Sequence, residues 1–201
     1  MNSETQFQDA KNLLGQLIAC PSLSREEDGT ASIIELFFKS KNIPTKRLHN
    51  NIWANNLLFD PNKPSILLNS HHDTVKANAS WTLDPFSATE VDGKITGLGS
   101  NDAGASLVCL ILTFCHFYEA QLPFNLVIAA TGEEEISGAN GIEALLNSNE
   151  FPKISWAIIG EPTDCQLAIA EKGLMVIDAV SKGKSGHAAR EEGINAIELA
   201  I

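Results

Sequence analysis

Four short polar segments carry the residues able to do chemistry in this 201-residue chain. They are His71-His72-Asp73, Asp102 in the loop GLGSNDAGAS, Glu133-Glu134-Glu135, and Glu161. In an extended chain residues 71 and 73 fall on the same side. His71 can then ligate a metal ion while Asp73 holds and orients its imidazole. Asp102 follows a glycine-rich loop that lets its carboxylate approach closely, and a carboxylate can bridge two cations where a histidine cannot. Three adjacent glutamates in a crevice repel one another unless cations or protons compensate them. A dinuclear metal site supplies that compensation, with one glutamate as ligand and a neighbour free to handle protons.

Taken singly, each segment has a plain structural role. An HxD triplet fits a surface turn, a glutamate run fits the solvated first turn of a helix, Asp102 fits a helix N-cap, and Glu161 fits a loop before Pro162. Their positions relative to the predicted elements argue for the metal site. Apolar runs of strand length occupy residues 65–69, 125–130 and 156–159, with helix candidates at Ala103–Tyr118 and Ala139–Leu146 between them. This alternation predicts an α/β fold with a mostly parallel central sheet flanked by helices. Three polar segments then follow strand ends, and Asp102 precedes the long helix. The carboxyl edge of such a sheet is where a functional crevice forms.

Before these elements, Phe7, Ala10, Leu13, Leu14, Leu17 and Ile18 follow helical spacing until Pro21. Ser24-Arg25-Glu26-Glu27 reads as a capping box opening a second helix with Ile33, Ile34, Phe37 and Phe38 buried. Asp92-Gly93 predicts a tight hairpin. After Glu161-Pro162-Thr163 the pattern changes: residues 174–181 alternate as a strand, and residues 193–201 begin a helix without a stop signal. A chain ending on NAIELAI is expected to be a fragment of a longer protein.

Lys plus Arg number 14 and Asp plus Glu 25, a net charge of −11. That balance argues against nucleic acid or an anionic membrane surface as partner. The longest nearly apolar stretch, Ala103–Cys115, is too short to span a bilayer. The N-terminal MNSETQFQDAKNLL lacks the basic and apolar regions of a secretory signal. Cys20, Cys109, Cys115 and Cys165 form no CxxC pair and are expected to be reduced and mostly buried, so a cytoplasmic location is expected. Competing motifs fail: Asp102 stands where GxGxxG needs its third glycine, Asp178 stands where the P-loop before Gly183-Lys184-Ser185 needs its first, and no GxSxG is present. His49 and His116 read as structural.

The segments SHHDTV (70–75), WTLDPF (81–86), DGKITGLGSNDAG (92–104), TGEEE (131–135), GEPT (160–163), SGHAA (185–189) and GINAIEL (193–199) resemble the M20 family of zinc aminoacylases and peptidases. Within that family the resemblance is greatest to acetylornithine deacetylases. It implies a zinc-peptidase-like catalytic domain over residues 1–172. It also implies the beginning of a smaller α+β lid and dimerisation domain over residues 173–201, through which the protein would form a homodimer.

The implied cofactor is a pair of zinc ions, with cobalt also compatible with mixed His and carboxylate ligands. By resemblance, His71 and Glu161 would hold one zinc, Glu135 the other, and Asp102 would bridge both. Glu134 would be the general base and acid, Asp73 would orient His71, and His187 would bind substrate and stabilise an oxyanion. The implied reaction is removal of an acetyl or succinyl group from a small-molecule N-acyl amino acid such as ornithine, of the arginine-biosynthesis type.

Alternatives within the family are succinyl-diaminopimelate desuccinylase and dipeptidase; outside it, a non-catalytic metal-binding or interaction module. Lys76, Ala103 and Glu191 depart from the family pattern and bear on acyl preference. Lys76 would favour an acidic acyl group if it reached the site, and is otherwise a surface lysine. The family's C-terminal histidine ligand and its lid arginine have no counterpart here, and Arg190 does not match the latter. The chain alone is therefore expected to be inactive.

Overall fold

A computed structural model describes residues 3–201 except 171, 174, 176, 188 and 191. The chain divides into two compact units, Met1–Cys165 and Gln166–Ile201.

The first unit opens with helix α1 (Ser3–Ala19), which runs until the chain reaches Pro21, and α2 (Asp28–Ser40). A two-residue turn at His49-Asn50 joins β1 (Lys46–Leu48) to β2 (Asn51–Asn55), and β3 (Ser65–His71) follows. Beyond it come the hairpin strands β4 (Thr89–Val91) and β5 (Lys94–Thr96), turning at Asp92-Gly93. A wide turn over Ser100–Gly104 leads into α3 (Ala105–Phe117). Strand β6 (Asn125–Thr131), a single 3-10 turn (Glu134–Ile136), α4 (Ile142–Leu146) and β7 (Trp156–Ile159) complete the unit.

The main sheet has the order β1-β2-β6-β3-β7. Strands β3, β6 and β7 are parallel, whereas β2 runs antiparallel to both β1 and β6. The sheet is therefore mixed, which corrects the expectation of a mostly parallel one. The cause is the β1–β2 hairpin, since a two-residue turn can only join antiparallel strands.

Both faces of the sheet are covered, as the continuous burial of β6 requires. Leu126, Ile128 and Ala130 point to one face, against α1, α2 and α3 and the side chains Leu13, Ile34, Phe38, Ile111 and Phe114. Val127 and Ala129 point to the other, where Trp53, Leu67, Leu145 and Phe151 form a second cluster. Phe38 and Tyr118 flank Phe114, and its ring meets that of Phe38 edge to face at 6.1 Å between centroids. Strand β7 forms one edge of the sheet, and all four of its residues are exposed.

Three further expectations change. Ser24 makes no capping box: α2 starts at Asp28 without a side-chain cap, and Ser24 turns its hydroxyl to Asp73. All four cysteines are free, but only Cys115 is buried; Cys109 and Cys165 are exposed because α3 turns Cys109 outward and Cys165 lies in an irregular segment. In the second unit, α5 (Ala196–Ala200) starts at an Asn195 N-cap that accepts from the Ile197 amide. Residues 174–181 carry no strand among those described, Leu174 and Val176 lying outside them. Among the described residues no helix is long and apolar enough to cross a membrane.

Phe114→Ala should cost about 3–5 kcal/mol in urea unfolding, because Phe114 is wholly buried between Phe38 and Tyr118. Leu36→Ala, at an exposed position, should change stability by less than about 0.5 kcal/mol. Equal costs would show that the helical layer is not packed as described.

Candidate metal centre

The parallel register brings the ends of three strands together. His71 of β3 pairs with Thr131 of β6, the His72 amide donates to the Thr131 carbonyl, and the Gly160 amide after β7 donates to Asn69. His71, Glu133–Glu135 and Glu161 consequently emerge along one edge of the sheet. Asp102 reaches the same edge from the wide turn before α3. That turn closes by a Gly104 amide donating to the Gly99 carbonyl at 2.9 Å. A side chain at Gly104 would place Cβ 2.6 Å from that carbonyl oxygen, so only glycine fits. The N-cap of α3 is Gly104, so Asp102 is free of a capping role.

His71 is buried, and its two ring nitrogens face different partners. Nδ1 donates to the Asp73 carbonyl at 3.0 Å and lies 3.4 Å from Asp73 Oδ1, while Nε2 lies 3.0 Å from Asp102 Oδ1. Glu134 Oε2 and Glu161 Oε2 each lie 3.9 Å from Nε2. Burial disfavours the imidazolium, but the Asp73 hydrogen bond and the charges of Asp73, Glu161 and Glu134 outweigh it and raise the His71 pKa to about 9.

Asp73 is fully buried. Its Oδ1 accepts from the Glu134 amide at 3.1 Å, and its Oδ2 accepts from the Glu135 amide at 3.1 Å and from Ser24 Oγ at 2.7 Å. Burial opposes its charge, yet these donors and His71 hold the carboxyl below its ordinary value. Burial and neighbouring carboxylates act in the other direction on Glu135 and Glu161, raising both. For Glu161 the charge of His71 partly offsets this. Among the described residues no Lys or Arg forms an ion pair with any of these acids.

One ligand atom each from His71, Asp102 and Glu135 lie within 4.8 Å of one another. Tetrahedral ligands about 2.1 Å from a zinc ion sit about 3.4 Å apart, so the group matches one ion after small side-chain adjustments. The donor set is also chemically suited, because Asp73 engages Nδ1 and leaves Nε2 to face the carboxylates. Glu134 and Glu161 stand at the rim of this group, beside an open cleft of about 420 Å³ lined by Asn69, Thr131 and Ile159. His187 belongs to the second unit, where it is exposed and its Nδ1 accepts from the Ala189 amide.

These features are those of a known family. Residues 67–196 match the model of peptidase family M20/M25/M40. The chain belongs to this family. It is 34% identical to acetylornithine deacetylase from Proteus mirabilis over 93% of this chain and 51% of that protein. It is 28% identical to succinyl-diaminopimelate desuccinylase from Cereibacter sphaeroides over 90% of this chain and 51% of that protein. The fold resembles that of the dipeptidase Dug1p from Saccharomyces cerevisiae, with a TM-score of 0.62 at 19% identity over 79% of this chain and 39% of that one. The chain spans about half the length of the curated relatives it matches. It is thus an M20-family metal-binding hydrolase fold with a candidate metal site.

Several residues that build the site carry no sequence signal of their own. Ser24 and Glu27 lie in the α1–α2 connector, which runs beside the site because the Thr74 amide donates to the Ser22 carbonyl. His72, buried beside His71, lies between Thr30 Oγ1 and the Asn50 carbonyl, and burial lowers its pKa. The carboxylate of Glu133 turns away from His71 to accept from the Asn140 side chain. The pointers to this edge in the sequence were the clustered ligand types and their place just after the apolar runs.

Zinc binding must displace the proton that His71 holds below about pH 9. Apparent zinc affinity should therefore climb between pH 6 and 8, by up to about tenfold per pH unit. Competition titration against a chromogenic chelator checks this, and a flat profile would show that His71 is not a ligand.

Proposed function

We propose that this chain carries the metal-dependent centre of an amide hydrolase that removes an acetyl or succinyl group from an N-acyl amino acid such as ornithine. The observation that carries the reading is the convergence of His71 Nε2, Asp102 and Glu135 at the carboxyl edge of the sheet. Similarity to acetylornithine deacetylases over nine-tenths of the chain supports the substrate class.

In this reading His71 and Glu161 would hold one zinc, Glu135 would hold a second, and Asp102 would serve as a ligand to both. Bound zinc lowers the pKa of water toward neutrality and polarises a carbonyl. Glu134, half exposed and 3.9 Å from His71 Nε2, takes the proton of the attacking water and returns it to the leaving amine. Asp73 fixes the imidazole and the two glutamate amides, keeping the ligands and the base in register. His187 binds the substrate and supports the developing oxyanion. The unit that contains it belongs to a lid and dimerisation domain.

Two observations favour other readings. The 28% identity to succinyl-diaminopimelate desuccinylase keeps succinyl substrates beside acetyl ones. Among the described residues a single group, His71, Asp102 and Glu135, is spaced to hold a metal ion, which keeps a metal-binding module without catalysis beside the enzyme. Lys76 is exposed, as expected of a surface lysine.

Zinc content should reach at least one ion per chain, as the His71, Asp102 and Glu135 group requires, and be lost in the His71→Ala, Asp102→Ala double variant. Acetyl-ornithine, succinyl-ornithine, succinyl-diaminopimelate and a simple dipeptide are then compared as substrates. Turnover of the dipeptide alone would overturn the deacylase assignment, and zinc uptake with no turnover would favour the module. Where turnover occurs, Glu134→Ala should keep the zinc and lose at least about 100-fold in rate. Retained activity would show that Glu134 is not the base.

A further inference from the structure

Glu27 is a glutamate with no exposed surface, packed beneath the turn that carries Glu134 and Glu135. Its Oε1 accepts from the Arg25 amide at 2.7 Å and the Glu133 amide at 2.9 Å, and its Oε2 accepts from Asn50 Nδ2 at 2.8 Å. The next two amides of the same turn, Glu134 and Glu135, donate to Asp73. Three successive backbone N–H groups are thus bound by two buried carboxylates. The turn is a concave amide nest, made possible by the left-handed backbone of Glu133 at φ 56° and ψ 20°.

We propose that Glu27 is a positioning residue for the metal centre: it fixes the Glu133 amide, and so sets the direction in which Glu134 and Glu135 leave the turn. This inference rests on the metal-site reading above. Every partner of its side chain is a donor, so a carboxylate is required rather than any polar group of that size. Asn50 cannot turn over to suit a different neighbour, because its Oδ1 accepts from Arg47 Nη2 at 2.8 Å. Arg47 is itself held by Asp28 and Glu35. An amide at position 27 would therefore set NH2 against NH2. Gly132 completes the fit, since a Cβ there would lie 3.1 Å from the Glu27 carboxylate. Asp73 orients His71 and two amides, and Glu27 orients the remaining one from the opposite side of the turn.

The test compares wild type, Glu27→Gln and Glu27→Asp for zinc affinity and for the visible absorption spectrum of the Co(II)-substituted chain. Glu27→Gln should bind zinc about tenfold more weakly, as loss of a group behind a ligand does, and should change the Co(II) band positions or intensities. Glu27→Asp, which keeps the charge, should recover part of both. A residue that served stability alone would lower the unfolding temperature and leave the Co(II) spectrum of the folded protein unchanged.

Wild-type affinity and an unchanged spectrum in Glu27→Gln would overturn this proposal while leaving the metal centre intact. A wild-type chain that takes up no zinc or cobalt would overturn both. If Glu27→Gln does not fold, Asn50→Ala decides. It removes the donor to Oε2, and with it an acceptor of Arg47, but leaves Glu27 and the Asn50 carbonyl in place, so weaker metal binding with a shifted spectrum supports the proposal and unchanged binding overturns it.

Discussion

The carboxylate of Asp73 is the point at which three otherwise separate parts of the chain meet. It lies just beyond the end of β3, receives the amides of the turn after β6, and takes the hydroxyl of Ser24 from the connector between α1 and α2. A buried carboxylate without donors would be strongly destabilising. The β3–β6 pairing and the Thr74–Ser22 hydrogen bond already bring these segments near one another, and satisfying this one charge fixes their placement at the site. The His71 ring is then set by the same residue through its backbone carbonyl and its side chain. Removing the carboxylate would leave two backbone amides and a hydroxyl without their acceptor in a partly buried space.

Around this anchor the acids are arranged so that they conflict. Asp102, Glu134 and Glu161 approach one imidazole nitrogen, and Glu135 and Glu161 are pushed toward their neutral forms. The proton on His71 relieves part of that repulsion, standing where a bound cation would relieve more of it. The cost of clustering the acids is recovered only with charge bound, so proton and metal compete at the same nitrogen. That competition is a consequence of burial together with acid clustering, and neither alone would produce it.

Strands β3 and β6 were legible because burial on both faces leaves them as nearly uninterrupted apolar runs, and the exposed edge strand β7 because its four residues are all apolar; the candidate ligands were legible because they interrupt the pattern just beyond those runs. The β1–β2 hairpin was not. Lys46–Leu48 is short and polar, and its turn relies on a left-handed His49, a weaker signal than the Asn-Gly or Asp-Gly pairs that mark such turns. Glu27 and Ser24 were misread for a related reason. Ser24-Arg25-Glu26-Glu27 has the spacing of a cap, and local spacing cannot reveal that the hydroxyl and a carboxylate are used by strands far away in sequence. Long-range hydrogen bonds of this kind leave no periodicity.

Exposure divides the site by task. His71, Asp73, Glu27 and Glu133 are buried, whereas the side chains of Asp102 and Glu134 are 56% and 52% exposed. The buried groups are held by hydrogen bonds to backbone or to other buried groups, so they define geometry. The exposed carboxylates hang from that frame by two rotatable bonds in Asp102 and three in Glu134, and Glu134 faces the cleft. A frame of this kind fixes the directions of the candidate ligands independently of what occupies the cleft, and proteins named as a deacetylase, a desuccinylase and a dipeptidase share the family or the fold. Side chains that line the cleft outside the frame, such as Ile142 and Ile159, can change without disturbing the amide nest or the imidazole.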